Sequence, residues 1–84
     1  MFEETEASKF LFALLKEHHK RIKRGCLTRA AKIFNENDIA RIIDEYKVRP
    51  SLDDCETLKL NGFIKYAVRN GRLTGIYLIQ DSKK

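Results

Sequence analysis

The segment Phe63-Ile-Lys-Tyr-Ala-Val-Arg-Asn-Gly-Arg-Leu-Thr-Gly-Ile-Tyr-Leu-Ile79 consists of two β-prone runs on either side of Asn70-Gly71. An Asn-Gly pair readily adopts the positive φ angles of a two-residue type I′ turn, which joins antiparallel strands. The segment therefore predicts a β-hairpin. Because an isolated hairpin is marginal in water, its apolar base must pack against the rest of the chain.

A two-residue turn also fixes which residues of the two strands face each other. The predicted pairs are Arg69 with Arg72, Val68 with Leu73, Tyr66 with Gly75, Ile64 with Tyr77 and Phe63 with Leu78. The pair Tyr66–Gly75 places an aromatic ring opposite a strand glycine, which is a common way to support such a glycine.

The residues before the hairpin predict helices. A first helix is expected over residues 5–24, because apolar residues recur there at helical spacing and basic residues fill the last turn. Gly25 stands where a left-handed C-cap is typical. The apolar stripe comprises Ala7, Leu11, Leu14, Leu15, His18 and Ile22; Phe10 widens it, whereas Phe12 points elsewhere.

The middle of the chain allows two interpretations. Thr28 can cap a brief second helix over residues 29–34, and Asn37 or Asp38 can cap a third. In that third helix the apolar residues Ile39, Ile42, Ile43 and Tyr46 repeat at helical spacing. A single kinked helix over residues 28–46 fits the same pattern.

The fourth helix is bounded more clearly. Pro50 forces a break before it, and Ser51 follows as an N-cap with Asp54 in the capping-box position. The helix is predicted from Leu52 to Leu60, and Asn61-Gly62 ends it. The fold class expected is mainly α with a C-terminal β-hairpin, in one domain over residues 1–84 with frayed ends at 1–4 and 81–84.

Composition narrows the class of protein. The chain has 84 residues, of which 43% are hydrophobic and 35% charged, a balance that fits a globular domain better than a disordered chain or a membrane protein. It shows no basic leader, so we expect a cytoplasmic location. In that reducing compartment Cys26 and Cys55 are expected to be free thiols that act as small core hydrophobes.

The net charge of +5 is unevenly distributed. Residues 16–32 carry seven bases and one acid, and residues 65–84 carry five bases and one acid, while residues 33–64 carry four bases and seven acids. Such segregation is what an anion-binding surface requires, whereas solubility alone does not need it. Nucleic acid is the first candidate partner of a small basic domain.

Helices followed by a terminal hairpin on a small basic chain resemble the winged helix-turn-helix family. Asp38-Ile-Ala-Arg-Ile-Ile-Asp-Glu-Tyr-Lys-Val48 is similar to the first helix of the helix-turn-helix and its turn. Leu58–Ile64, Arg69–Arg72 and Ile76–Ile79 are similar to the end of the recognition helix and to the wing. The resemblance covers about half the chain and implies three to four helices plus a wing whose tip contacts DNA.

The resemblance and the charge pattern together predict a small DNA-binding protein. It would be a transcriptional regulator or a replication or recombination accessory factor that binds duplex DNA, and it would form a homodimer through the first helix, where Phe12 lies off the core stripe. The candidate nucleic-acid-binding residues are Lys20, Arg21, Lys23, Arg24, Arg29, Lys32, Arg69, Asn70, Gly71 and Arg72.

Two other binding functions stay open. The fourth helix is acidic where a DNA reader is usually basic, which favours a protein-protein adaptor or inhibitor that docks through Asp53, Asp54 and Glu56. RNA binding through the basic residues of segment 16–32, with Tyr66 and Tyr77 stacking on bases, is the third option. No motif for catalysis, for a cofactor or for a metal site is present, so we expect a non-enzyme without a cofactor.

Overall fold

The structure is a computed structural model that describes residues 5–79. The described residues form four helices and a three-stranded antiparallel sheet near the C-terminus. The elements are α1 Glu6–Lys23, α2 Thr28–Ala31, β1 Ile33–Asn35, α3 Glu36–Tyr46, α4 Leu52–Leu60, β2 Ile64–Arg69 and β3 Arg72–Leu78. The predicted helical majority and C-terminal hairpin are confirmed. The predicted fraying of both termini lies outside the described residues.

The ends of α1 follow its local sequence. Thr5 caps the first turn, and its side chain and that of Ser8 each accept a hydrogen bond from the backbone N–H of the other. At the other end Gly25 has a φ of 95°, and the N–H of Cys26 donates to the carbonyl of Arg21. This is a Schellman cap, as the glycine predicts.

The second predicted helix is wrong after Ala31. Ile33–Asn35 forms a short strand that pairs with β3, and only Phe34 of the three residues is buried. This alternation is that of an edge strand, and β3 supplies the backbone hydrogen bonds that a longer helix would have made internally. Because the strand intervenes, the single kinked helix over residues 28–46 is also wrong. Thr28 begins α2 and does not cap it, since Leu27 is its N-cap residue.

The cap of α3 lies earlier than predicted. Asn35, and neither Asn37 nor Asp38, is the N-cap: its side-chain oxygen accepts from the N–H of Asp38, and the Asp38 carboxylate accepts from the N–H of Asn35. The predicted start of α4 is confirmed, with the same reciprocal pair between Ser51 and Asp54.

The hairpin has the predicted turn but a shifted register below it. Asn70 and Gly71 have φ angles of 54° and 74°, and Arg69 pairs with Arg72 as expected. Thr74 is then an extra residue in β3, so that Ala67, and not Tyr66, lies opposite Gly75. A β-bulge adds a residue to one strand and none to its partner. The three predicted pairs further from the turn are therefore wrong by one residue.

The core lies between the helices and one face of the sheet. Its largest fully buried side chains are Phe10, Phe34, Leu14, Ile42, Ile64, Leu78 and Cys55. Ile22 was predicted in this core but is 37% exposed, so it lies outside it. Cys26 is exposed as well, so its predicted role in the core is wrong, whereas both thiols are free as expected.

One residue of the turn after α3 has an unfavourable backbone. Lys47 ends α3 in the left-handed region, with φ 57° and ψ 45°. A side chain crowds the backbone in this region, and glycine does not. We expect Lys47→Gly to raise the free energy of unfolding by about 0.5–1 kcal/mol, measured by urea denaturation. Lys47→Ala is the control, and an equal gain from both would contradict the conformational explanation.

Candidate nucleic-acid interface

The stretch between Glu17 and Glu36 contains no acidic residue. It carries six bases, Lys20, Arg21, Lys23, Arg24, Arg29 and Lys32. We call residues 18–35 the acid-free stretch; it includes the last turns of α1, all of α2 and all of β1. It contains every candidate nucleic-acid-binding base that the sequence predicts before the hairpin.

Two of these bases have internal partners. The guanidinium of Arg21 donates to the carbonyl of Ile33 at 2.6 Å, forms a salt bridge with Asp38 at 3.1 Å and stacks on the ring of Phe34 at 4.4 Å. The ammonium of Lys20 lies 3.1 Å from the Glu45 carboxylate. Arg21 therefore anchors β1 and α3 to α1, and neither charge is available in full to a ligand.

The next bases face solvent. Lys23, Arg24 and Arg29 are exposed, and among residues 5–79 none of the three forms a salt bridge or side-chain hydrogen bond. Lys32 is half-buried at the C-cap of α2. Exposed Leu27 lies between them in the chain. These three cations lie within about ten residues of one another in the chain, and none has a counter-charge among the described residues. Such a group is typical of a phosphate-binding surface.

The hairpin turn presents a second pair of cations. Arg69 and Arg72 face each other across the Asn70-Gly71 turn, and both are exposed. Like charges in that position destabilise a strand pair slightly. Arg72 lies 3.8 Å from the Glu36 carboxylate, a weak surface pair in which the arginine stays 77% exposed.

The two basic regions lie at opposite ends of β3. The carbonyl of Lys32 accepts from the N–H of Leu78 at one end, and Arg72 begins the strand at the other. Six residues of strand at about 3.3 Å each separate them by roughly 20 Å. Because α2 packs against α1, the bases of the acid-free stretch lie toward one end of β3, and Arg69 and Arg72 lie at the other.

The acidic residues of α4 have mostly structural partners. Asp54 completes the capping box, and Glu56 accepts a hydrogen bond of 2.6 Å from the hydroxyl of Tyr66. That hydrogen bond raises the pKa of Tyr66 to about 12. Of the predicted protein-docking acids, Asp53 is exposed and its carboxylate forms no hydrogen bond within residues 5–79.

A cluster that sequence reasoning missed holds two other acids, Glu17 and Glu45. Glu17 is 3% exposed, and its carboxylate accepts from Arg41 at 2.9 Å and from the Tyr46 hydroxyl at 3.1 Å. The hydrogen bond from Arg41 holds the pKa of Glu17 below its usual value. Arg41 also pairs with Glu45. Because these acids are neutralised between α1 and α3, they do not offset the acid-free stretch.

The two hairpin tyrosines lie on opposite faces of the sheet. Tyr66 shares a row with buried Phe34 and Ile76 and faces the helices. Tyr77 lies in the adjacent row, between Ile33 and Lys65, on the face that no described helix covers. Tyr77 is 38% exposed and Ile33 is 51% exposed. Only Tyr77 can therefore offer its ring to a ligand.

The other predicted features have ordinary surroundings. His18 is buried with Nδ1 3.3 Å from the Ala31 carbonyl, and burial raises the pKa of the Cys55 thiol to about 11. Phe12 is 53% exposed and borders a groove with Lys9 and Lys16. The homodimer through α1 stays a prediction.

Within residues 5–79 no group of three or more His, Cys, Asp or Glu side chains could hold a metal ion. No helix in this range is both long and apolar enough to cross a membrane.

Comparison with protein-family models, with curated proteins and with solved structures finds no match for this chain.

Proposed function

We propose that this protein is a non-catalytic winged-helix domain that binds duplex DNA mainly through its phosphates. The observation that carries the proposal is the acid-free stretch, in which Lys23, Arg24 and Arg29 are exposed without counter-charges. Neutralising phosphates with such cations releases condensed counterions, which is the main source of sequence-independent affinity for DNA.

The topology supports the winged-helix part of the proposal. α3 and α4 follow each other through a short turn that contains Pro50, as in a helix-turn-helix, and the hairpin after α4 has the position of a wing. β1 pairs with β3, so the sheet has the order β1-β3-β2. A third strand from the segment before the helix-turn-helix gives the wing the support that a lone hairpin lacks.

The geometry favours backbone contacts over base readout. The first turn of α4 carries Asp53 and Asp54, which repel phosphates and match few base edges. The acid-free stretch and the hairpin turn are about 20 Å apart, which corresponds to roughly six base pairs of B-DNA at 3.4 Å each. One duplex is therefore long enough to reach both regions, and such a binder suits an architectural, replication or regulatory role.

Docking of a protein on α4 has less support. Leu52 and Leu60 are 41% and 75% exposed, which leaves apolar surface on this helix. However, internal hydrogen bonds fix the carboxylates of Asp54 and Glu56, so of the three acids proposed for docking only Asp53 is free to turn toward a partner.

The triple variant Lys23→Ala, Arg24→Ala, Arg29→Ala tests the proposal. Three lost phosphate contacts should reduce the slope of log K against log salt by about 2.7 and weaken binding most at low salt. The measurement is fluorescence anisotropy of a labelled short duplex over a series of NaCl concentrations.

A matched control removes three charges elsewhere, with Lys9→Ala, Lys47→Gly and Arg49→Ala. These residues lie at the opposite end of α1 and in the turn after α3, and we expect them to change the slope much less. Equal effects from the two triple variants would show that net charge alone drives binding. No retention of duplex by the unaltered protein at low salt would overturn the proposal.

A further inference from the structure

The outer face of the sheet carries a small apolar depression with one cation. Its upper row is Ile33, Tyr77 and Lys65, which are direct cross-strand neighbours, and its floor is formed by Gly75 and Ala67 in the next outward row. We call these five residues the open face. The depression has a volume of about 470 Å³.

The chemistry of the open face is that of a stacking platform. Tyr77 offers an aromatic ring, the small residues Gly75 and Ala67 leave room beside it, and Lys65 stands across the strand from the ring. Base–aromatic stacking combined with a nearby cation is how proteins bind single strands without reading their sequence. We propose that the open face binds single-stranded nucleic acid, with one base against Tyr77 and its phosphate near Lys65.

The size of the open face favours a nucleotide over a protein. Three strands about 4.8 Å apart, with outward rows about 7 Å apart, give a patch of roughly 10 Å by 7 Å. A stable protein–protein interface needs about 800 Å² on each partner, far more than this patch offers. One or two bases fill it.

The charge of the open face favours an anion. Lys65 is its single charged residue, and β1 at its edge belongs to the acid-free stretch. The carbonyl of Lys32 accepts a hydrogen bond from the N–H of Leu78, the residue after Tyr77, so Lys32 and the α2 residue Arg29 follow the row that contains the ring. A nucleic-acid strand that leaves Tyr77 in that direction runs toward these two bases.

Only an unpaired base can use this platform. In a duplex the flat faces of the bases are covered by their neighbours, and extruding one costs a few kcal/mol. A duplex can therefore reach Lys65 with its phosphates but cannot cover the Tyr77 ring. The site goes beyond the proposed duplex binding and depends on different residues.

Replacing Tyr77 with leucine tests the stack. Leucine keeps an apolar side chain on the strand but has no ring, so the affinity for a labelled short oligothymidylate should fall about five- to a hundredfold. Tyr77→Phe should restore it. An oligonucleotide with an abasic site in place of each base should bind weakly to the unaltered protein and be insensitive to Tyr77→Leu.

Gly75→Val tests the floor of the depression by another route. The backbone at Gly75 is not in the left-handed region, and an added Cβ would lie 3.9 Å from the Phe34 carbonyl and 4.0 Å from the Ala67 Cβ, which is ordinary contact. The variant should therefore fold, as circular dichroism and a thermal melt can verify, and should lose oligothymidylate binding. Tyr66→Phe, on the helix-facing side, should bind normally.

Three results would overturn the inference: unchanged binding by Tyr77→Leu, unchanged binding by a folded Gly75→Val, or equal affinity for the abasic strand. Oligouridylate titrated in parallel shows whether the site takes RNA, DNA or both, and each of these supports it. If the unaltered protein binds single strands through Tyr77 but binds no duplex, that result would contradict the proposed duplex function and leave the single-strand site supported.

Discussion

Replacing Phe34 with alanine is expected to lower the free energy of unfolding by about 3–5 kcal/mol. Phe34 is 1% exposed and is the one buried residue of β1. Its ring packs in the row of Ile76 and also supports the guanidinium of Arg21. The substitution therefore leaves a cavity under the sheet and removes the surface on which Arg21 stacks.

This loss is large for such a small domain. At about 0.05–0.15 kcal/mol per residue the whole chain is stable by roughly 4–13 kcal/mol, so the variant should be partly unfolded or have a much lower urea midpoint. Ile33→Ala is the matched control, since Ile33 is the neighbouring outward residue and is 51% exposed. If the two variants lost equal stability, β1 would not be part of the cooperative core.

β1 is an element that could not be predicted from the sequence, whereas the local turns and caps could. The turn at Asn70-Gly71, the Gly25 cap and the Ser51 capping box depend on a few adjacent residues, and all three are predicted correctly. β1 has three residues, too few to show a period of two, and its partner β3 lies about forty residues further along the chain. The bulge at Thr74 has no local signal either.

The position of the candidate site could be predicted from the sequence, but the availability of its individual residues could not. The segregation of charge is visible in the sequence, and it correctly places a run of bases around the end of α1. Which bases are available is decided by folding, because the partners of Lys20 and Arg21 come from α3. The division of Tyr66 and Tyr77 between two faces depends on the register shift caused by the bulge.

Glu17→Ala is expected to lower the free energy of unfolding at neutral pH by about 2–3 kcal/mol. The carboxylate is buried and accepts from Arg41 and from the hydroxyl of Tyr46, so alanine removes the acceptor that these two donors share between α1 and α3 and leaves Arg41 only its pair with Glu45. The Arg41 side chain is half-exposed and can turn toward water. The expected loss of stability is therefore small for the removal of one partner of a buried ion pair. Urea denaturation at neutral pH measures the loss.

The pH dependence of the free energy of unfolding distinguishes a stabilising ion pair at Glu17 from a purely packing role of this side chain. The hydrogen bond from Arg41 lowers the pKa of Glu17 in the folded protein below 4.5, so the unfolded chain binds the proton more readily. The stabilising contribution is complete above about pH 4.5 and is lost as the pH falls through the lower folded value. The difference in stability between the unaltered protein and Glu17→Gln should therefore shrink in acid.

Glu36→Gln is the control for this titration. Glu36 is 54% exposed and lies 3.8 Å from Arg72, a surface pair of small energy, so its variant should follow the unaltered protein at every pH. A Glu17→Gln curve that stays parallel to the unaltered protein down to strongly acidic pH would contradict the ion-pair explanation. The Glu17 cluster matters for binding as well, because acids neutralised between α1 and α3 cannot oppose phosphates at the acid-free stretch.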